Sequence, residues 1–409
     1  MPAGEREDGV DTFGGDRLRR EPSSLEALGH AASLQRRQTP ARGESAGLRV
    51  HCAPVDLDVV FLGTSGSAPT ARRAPAATLV RRGGDRLLID CGEGTQRQLL
   101  RSDVGLAELE HVFVTHFHAD HYLGLPGMLK TFALRGREVP LTVYGPAGLR
   151  DLLGALRRVF GRLTYDVETV ELEAGEALHR DGYRIVPFAV AHGVTALGYA
   201  IVEDERPGRF DAAVADALGI PHGPGRGALQ RGESITLESG TVIAPEQLLG
   251  PARAGRKVVL TGDTAPAASV VEAAAGADLL VHDGTFCADE QERARETGHS
   301  TAGEAALVAL AAGVRLLALT HLSNRYFGQD VAGEARALFP ATVVPSDFDV
   351  VAIPFAERGI PELIARGARQ HRFGAARARD GSEAAPEPSA PEPSAPEPSA
   401  PEPPEPAPE

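Results

Sequence analysis

Thr115-His116-Phe117-His118-Ala119-Asp120-His121 is the stretch that decides how this chain is read. It packs three histidines and an aspartate into six residues. Clustered unpaired polar groups are costly to bury, so packing is a poor account of them. The apolar run His111-Val112-Phe113-Val114 comes just before and reads as a strand. Residues at the carboxyl end of a strand face the crevice where α/β proteins place their sites. Alternate side chains of extended backbone point the same way, so His116 and His118 can share one metal ion. Asp120 and His121 follow where the chain turns and can reach a second ion. Imidazole with carboxylate suits zinc or a similar first-row ion.

Two ions need further ligands, and these are expected just after other strands. His192 follows the strand-like Tyr183–Val190, Asp263 follows Lys257–Leu260, and His321 follows Arg315–Leu319. A carboxylate has two oxygens, so Asp263 is the choice for a bridge between the ions. Geometry-based site reading gives weight to this common position at strand ends. His299 lies in Gly298-His-Ser-Thr301 before an Ala-rich run. Ser300 or Thr301 can cap that helix while His299 serves the site. His282 and Asp283 follow the strand-like Asp278–Val281 and are expected to orient ligands. Asp90, after Arg86–Ile89, is expected to bond a ligand histidine or the loop backbone.

Farther out, Asp56–Gly63, Ala77–Val80 and Arg86–Asp90 read as a β-meander. Short apolar strands then alternate with helical stretches at 124–134, 148–160, 267–275 and 302–312. This rhythm predicts an α/β protein with sheet layers between helices. Residues 203–233 break it. The run Gly219-Ile-Pro-His-Gly-Pro-Gly-Arg-Gly227 predicts an arm that cannot be core. Residues 1–54 read as a flexible extension, 55–370 as the folded domain, and 371–409 as a disordered tail. Eleven of the 31 prolines fall in the last 24 residues. The net charge is −14, but Asp380–Glu409 alone holds eight acidic residues and no basic one. Bulk charge therefore excludes a protein that coats nucleic acid, and any such contact must be a local basic patch. Three cysteines without paired spacing, no long apolar run and no signal peptide predict a soluble cytoplasmic protein with no membrane partner.

Thr115-His-x-His-x-Asp-His121, with Asp90, His192, Asp263 and His321 in this order, resembles the metallo-β-lactamase superfamily. The resemblance implies an αββα sandwich, two mixed sheets face to face with helices outside and metals at one sheet edge. Other segments resemble ribonuclease Z, the tRNA 3′-processing endonuclease family, in its short form. They are Gly63-Thr-Ser-Gly66, Asp90-Cys-Gly-Glu-Gly-Thr-Gln-Arg97, Leu123-Gly-Leu-Pro-Gly127, Gly262-Asp-Thr264, Gly298-His-Ser-Thr301 and His321-Leu-Ser-Asn-Arg-Tyr326. The likeness spans about residues 56–358. It implies two zinc ions, with manganese as another candidate. His116, His118 and His192 would hold one, Asp120, His121 and His321 the other, and Asp263 would bridge. Asp120 would also accept a proton, and His299 would serve the phosphate or the leaving oxygen. The implied partner is precursor tRNA, gripped by a flexible arm in a homodimer. The chain departs from the family in the loop Thr70-Ala-Arg72-Arg73-Ala74-Pro75, which lacks the usual asparagine, and at Asp283, where a glutamate is common.

Candidate phosphate contacts are Arg206, Arg209, Arg226 and Arg231 in the arm, and Arg72, Arg73, Arg81, Arg82, Lys130, Arg135 and Arg137 in the body. Rival readings are a small-ester or cyclic-phosphodiester hydrolase of the same superfamily, and a non-catalytic RNA-binding scaffold. The arm and the Gly298–Thr301 segment argue against the first. The complete set of seven metal-ligand candidates argues against the second.

Overall fold

The computed structural model describes residues 55–106 and 109–366. The extensions read at 1–54 and 371–409 lie outside the described residues. In the first half, β1 (Leu57–Gly63), β2 (Ala77–Arg82) and β3 (Asp85–Ile89) form the meander. Then come α1 (Thr95–Arg101), β4 (His111–Phe113), α2 (Ala119–Tyr122) and α3 (Gly124–Leu134). β5 (Leu141–Gly145), α4 (Leu149–Phe160) and β6 (Val167–Glu171) complete this half.

The second half begins with β7 (Leu178–Arg180), β8 (Tyr183–Ala189) and β9 (Leu197–Glu203). An excursion follows, with α5 (Ala212–Ala217), α6 (Pro224–Gln230), β10 (Ile235–Thr236) and β11 (Val242–Ile243). β12 (Lys257–Leu260), α7 (Ala268–Ala274), β13 (Leu279–Asp283) and α8 (Gln291–Thr297) resume the body. It ends with α9 (Ala302–Ala312), β14 (Leu317–Thr320), α10 (Gly328–Leu338), β15 (Thr342–Val343), β16 (Val350–Ala352) and β17 (Glu362–Ile364).

One sheet runs β17-β16-β1-β2-β3-β4-β5-β6 and the other β15-β14-β13-β12-β9-β8-β7. Both are mixed. β3 to β6 are parallel, as are β12 to β15, and the remaining pairs are antiparallel. Strands buried on both faces read as continuous apolar runs, and β1 shows why. Val59 and Phe61 point into an apolar layer shared with Tyr199, Leu260 and Val281 of the other sheet. Val60 and Leu62 point the other way, to Leu99, Met128 and Leu153 of α1, α3 and α4. A third layer lies between the second sheet and α7, α9 and α10, around Val270, Ala305 and Val331. Helix, sheet, sheet and helix are thus held by three apolar layers, which is the αββα sandwich that the resemblance implies.

The excursion departs from expectation. It is a small folded unit with its own core spanning about 207–252, where the composition predicts an arm at 203–233 that cannot be core. Ala215, Ile220, Leu229, Ile243 and Leu248 are buried together in a fourth apolar cluster. Asp211 caps α5 by accepting from the amides of Ala213 and Val214. Two of the core residues, Ile243 and Leu248, lie beyond the boundary suggested by the Gly-Pro composition, which hid the pattern. Antiparallel bridges Arg206↔Arg253 and Phe210↔Leu249 close its root. The root is anchored on buried Arg256, which donates to Glu203, Ile353 O and Val55 O.

Gly154 sits exposed in the middle of α4, and an added Cβ there would meet nothing within 4 Å. Helix-interior glycine costs about 0.5–1 kcal/mol relative to alanine. Gly154→Ala is therefore expected to stabilise the fold by about that amount, read as a rise in Tm. A fall in Tm would mean that the glycine is required by the fold.

Candidate metal centre

The carboxyl ends of β3, β4, β8, β12, β13 and β14 meet at one edge of the sandwich. Asp90 follows β3, and the segment Thr115–His121 follows β4. His192, Asp263 and His321 follow β8, β12 and β14. The second sheet braces the histidine-rich loop from below. The Tyr199 hydroxyl donates to Val114 O at 2.8 Å, and the Leu197 amide donates to Thr115 O at 2.9 Å. Gly262 has φ 62° and packs on Thr115, whose atoms would lie 2.9 Å from an added Cβ. Only glycine fits there. Asp90 and His321 take φ of 61° and 59°, strain of about 1–3 kcal/mol each that the surrounding bonds must hold.

The loops gather all seven predicted ligands into two adjacent groups, and a third group joins Asp263 and His321 to Asp283 and His299. His116, His118, His192 and Asp263 present donor atoms within 4.8 Å of one another, as do Asp120, His121 and His321. In the first group His118 Nδ1 lies 2.9 Å from His116 Nε2 and 3.1 Å from His192 Nε2. Asp263 Oδ2 lies 3.7 Å from His116 Nε2. The same oxygen lies 3.3 Å from both His121 Nε2 and His321 Nε2. Asp120 Oδ2 lies 3.2 Å from His321 Nε2 and 3.5 Å from His121 Nε2. Asp263 therefore stands between two three-residue sets.

Two buried atoms of this cluster, His121 Nε2 and Asp263 Oδ1, have no hydrogen-bond partner. Such orphans are rare in folded proteins unless an ion or water satisfies them. Five imidazoles and two carboxylates, aimed inward at two points, fit a pair of divalent cations. Electrostatics agree. Burial, then the charge of His121, pushes His116 down to about 2, leaving a neutral donor. Burial and His192 lower His118 as well. For Asp120 and Asp263, burial pushes upward, but the neighbouring histidines hold both carboxyls well below their ordinary range. Burial also opposes charge on His121, but Asp263 and Asp90 hold a proton there. A cation would replace that proton.

Four of the five candidate ligand histidines, all but His118, are oriented through their other ring nitrogen, the usual outer support of a metal site. Asp90 Oδ2 lies 2.8 Å from His121 Nδ1, and Asp90 Oδ1 accepts from the Thr115 amide and hydroxyl. Thr115 Oγ1 is 3.0 Å from His116 Nδ1. Thr285 Oγ1 is 2.8 Å from His321 Nδ1, and Gly298 O is 2.8 Å from His192 Nδ1. The Ser67 amide donates to Asp120 Oδ2 at 2.9 Å. Thr115, Thr285, Gly298 and Ser67 carry no chemical signature in sequence, because what selects them is proximity to residues far away in the chain. Asp90→Ala is expected to lower divalent-ion affinity about 10–100-fold, measured by metal titration. Unchanged affinity would show that Asp90 does not support His121.

His299 Nδ1 lies 2.7 Å from Asp283 Oδ2, and its ring stacks on His321 with centroids 5.2 Å apart. Burial lowers His299, but Asp283 outweighs it and raises the imidazole to about 9. Thr301 caps α9 in a capping box with Glu304, so capping and the position of His299 coexist. Asp283 is the last residue of β13, not a loop residue. It also accepts from the amides of Thr264 and Thr285. His282 is a correction. Side chains alternate along β13, so His282 shares the outward side of Leu280, while Asp283 shares the inward side of Leu279 and Val281. It makes no hydrogen bond to a predicted ligand: its Nδ1 bonds Asp283 O and its Nε2 has no partner among the described residues.

The arginines proposed for RNA mostly have other duties. Arg226 is buried against Asp216 and Ile220 O. Arg206 pairs with Glu357, and Arg231 with Glu233. Arg73 donates to Thr64 and Pro345 O, while Arg81 and Arg82 pair with Asp58 and Glu203. No helix among the described residues is long and apolar enough to cross a membrane.

A family profile described as Beta-lactamase superfamily domain matches residues 85–322. Ribonuclease Z of Methanosarcina acetivorans is 42% identical over 302 residues, covering 73% of this chain and 99% of the relative. Ribonuclease Z of Myxococcus xanthus is 51% identical over 271 residues, covering 66% of this chain and 88% of the relative. The crystal structure of the human short-form tRNase Z superposes with a TM-score of 0.54 at 26% identity. It covers 73% of this chain and all of its own.

Proposed function

The chain belongs to the ribonuclease Z family of the β-lactamase superfamily, and on that premise we infer that it is a hydrolase processing the 3′ ends of precursor tRNA. The observation that carries the chemistry is Asp263 standing between two sets of three donors, with buried atoms left unpaired. His116, His118 and His192 would hold one divalent ion and Asp120, His121 and His321 the other, with Asp263 shared. Zinc suits these donors best, and manganese is the second choice. When bound, such ions supply Lewis acidity at the phosphoryl group and lower the pKa of water.

The residues of the chain do the rest. Asp120 uses Oδ2 toward His321 and the Ser67 amide. Its Oδ1 takes no hydrogen bond from a described residue and can accept the proton of the attacking water. Asp283 holds His299 Nδ1, so Nε2 is the atom that can donate. From there it can bind a phosphate oxygen or protonate the leaving 3′ oxygen of the tRNA. The products are then a 3′-hydroxyl on the tRNA and a 5′-phosphate on the trailer. The catalytic unit is residues 55–370. By family membership we place the enzyme in the cytoplasm as a homodimer, in which one copy's arm holds the tRNA that the other cleaves.

The test is to incubate a 3′-extended precursor tRNA with the purified protein and map the cut and its ends. One cut at the tRNA–trailer junction is expected, lost in chelator and restored by zinc or manganese. Cleavage that persists in chelator, or a 2′,3′-cyclic phosphate end, would overturn the two-metal reading.

A further inference from the structure

The two helix layers of the sandwich carry opposite charge. On α1, α3 and α4 there are six basic residues, Arg97, Arg101, Lys130, Arg150, Arg157 and Arg158, against one acid, Asp151. On α7, α8, α9 and α10 there are six acids against three arginines. This is a chain of net charge −14, with Arg206, Arg226 and Arg231 of the arm in internal ion pairs. A positive face this concentrated is therefore a local feature. It is extended by Arg135 and Arg162 at the ends of α3 and α4, where Lys130 Nζ donates to Arg162 O at 3.3 Å. Arg135, Arg157, Arg158 and Arg162 are exposed, and none of them has an acidic partner among the described residues.

We propose that the α3–α4 face is a second contact surface for the RNA, gripping its phosphodiester backbone away from the metals. α4 points the way. It starts beside the centre, where a Cβ on Gly148 would lie 3.3 Å from Phe117, the residue between His116 and His118. It runs 12 residues and carries Arg157 and Arg158 in its last turn, about 12–14 Å along the axis from Leu149. Positions 150, 154, 157 and 158 share one side of the helix. Gly154 keeps that side low between the arginines, so a broad ligand can approach closely. Structured RNA is recognised through backbone and shape at a distance from the reacting bond, which is what unpaired arginines on a flat helix face serve. The proposal rests on the reading of the chain as a precursor-tRNA nuclease.

The test uses the full chain with Arg157→Gln, Arg158→Gln and Arg162→Gln combined, and the same sites changed to Glu. Binding of precursor tRNA is measured against salt, together with cleavage and hydrolysis of a small phosphodiester. The Gln variant is expected to weaken binding about tenfold near physiological salt and to reduce the log–log salt slope by about 2–3. The Glu variant should bind more weakly still. Both should hydrolyse the small diester at the wild-type rate, and Lys at the three sites should restore binding. Unchanged affinity and slope in both variants would overturn the proposal and leave the face to another acidic occupant, such as Asp380–Glu409 of the chain. Equal loss on the small diester would overturn it too, by assigning the arginines to folding. Failure of wild-type protein to cut precursor tRNA would instead strike the functional reading, and the binding measurement separates the two.

Discussion

Asp120→Ala is expected to abolish turnover of precursor tRNA, by about 10³-fold or more, while binding stays within a few-fold. The proposed function gives Asp120 two tasks on one side chain. Oδ2 faces His121 and His321 at 3.5 and 3.2 Å, and Oδ1 is free to take a proton. On the proposed reading, alanine would remove a metal donor and a general base together, and a loss of about 4 kcal/mol in the transition state corresponds to 10³-fold. The fold should survive. Asp120 lies in the four-residue α2 at the rim and belongs to none of the apolar layers. Single-turnover cleavage and tRNA binding, measured on the same preparation, decide the matter. Retention of more than a tenth of wild-type cleavage would refute the role given to Asp120.

Excising the arm should separate substrate recognition from chemistry. The cut belongs at 207–252, with Arg206 joined to Arg253 by a tight turn, because these residues already face each other across a bridge at 2.7 and 2.9 Å. A cut at 205–232 would strand Ile243 and Leu248, two of the five buried residues of the arm's own core. With the cluster removed whole, the sandwich keeps its three apolar layers. The kcat/KM for precursor tRNA is expected to fall at least 100-fold, about 2.7 kcal/mol, while a small phosphodiester is hydrolysed within about threefold of wild type. Equal losses on the two substrates would remove the arm from RNA recognition.

The contrast between arm and metal centre shows what a sequence exposes. His116, His118, Asp120 and His121 are close in the chain, so their shared chemistry is legible at once. His192, Asp263 and His321 are distant, yet each follows an apolar strand, and parallel strands deliver their carboxyl ends to one edge. That topological regularity made them readable as well. The arm has no such regularity. Its composition is that of a loop, and its small core needs Ile243 and Leu248 from beyond the Gly-Pro stretch. The arginines failed for a related reason. Whether a guanidinium is free depends on which carboxylate folding brings to it, and Glu357 for Arg206 or Glu203 for Arg82 is more than a hundred residues away.

The residues around Thr115–His121 thus mark by themselves a candidate metal site, and the apolar rhythm around them the α/β fold, since ligand type and strand periodicity are local properties. The tertiary structure decides the rest. It turns Asp283 inward and His282 outward by the two-residue alternation of β13. It recruits Thr285, Gly298 and Ser67 to hold the ligands. It also sorts charge onto opposite helix layers, because which surfaces face water is settled only when the three apolar layers close.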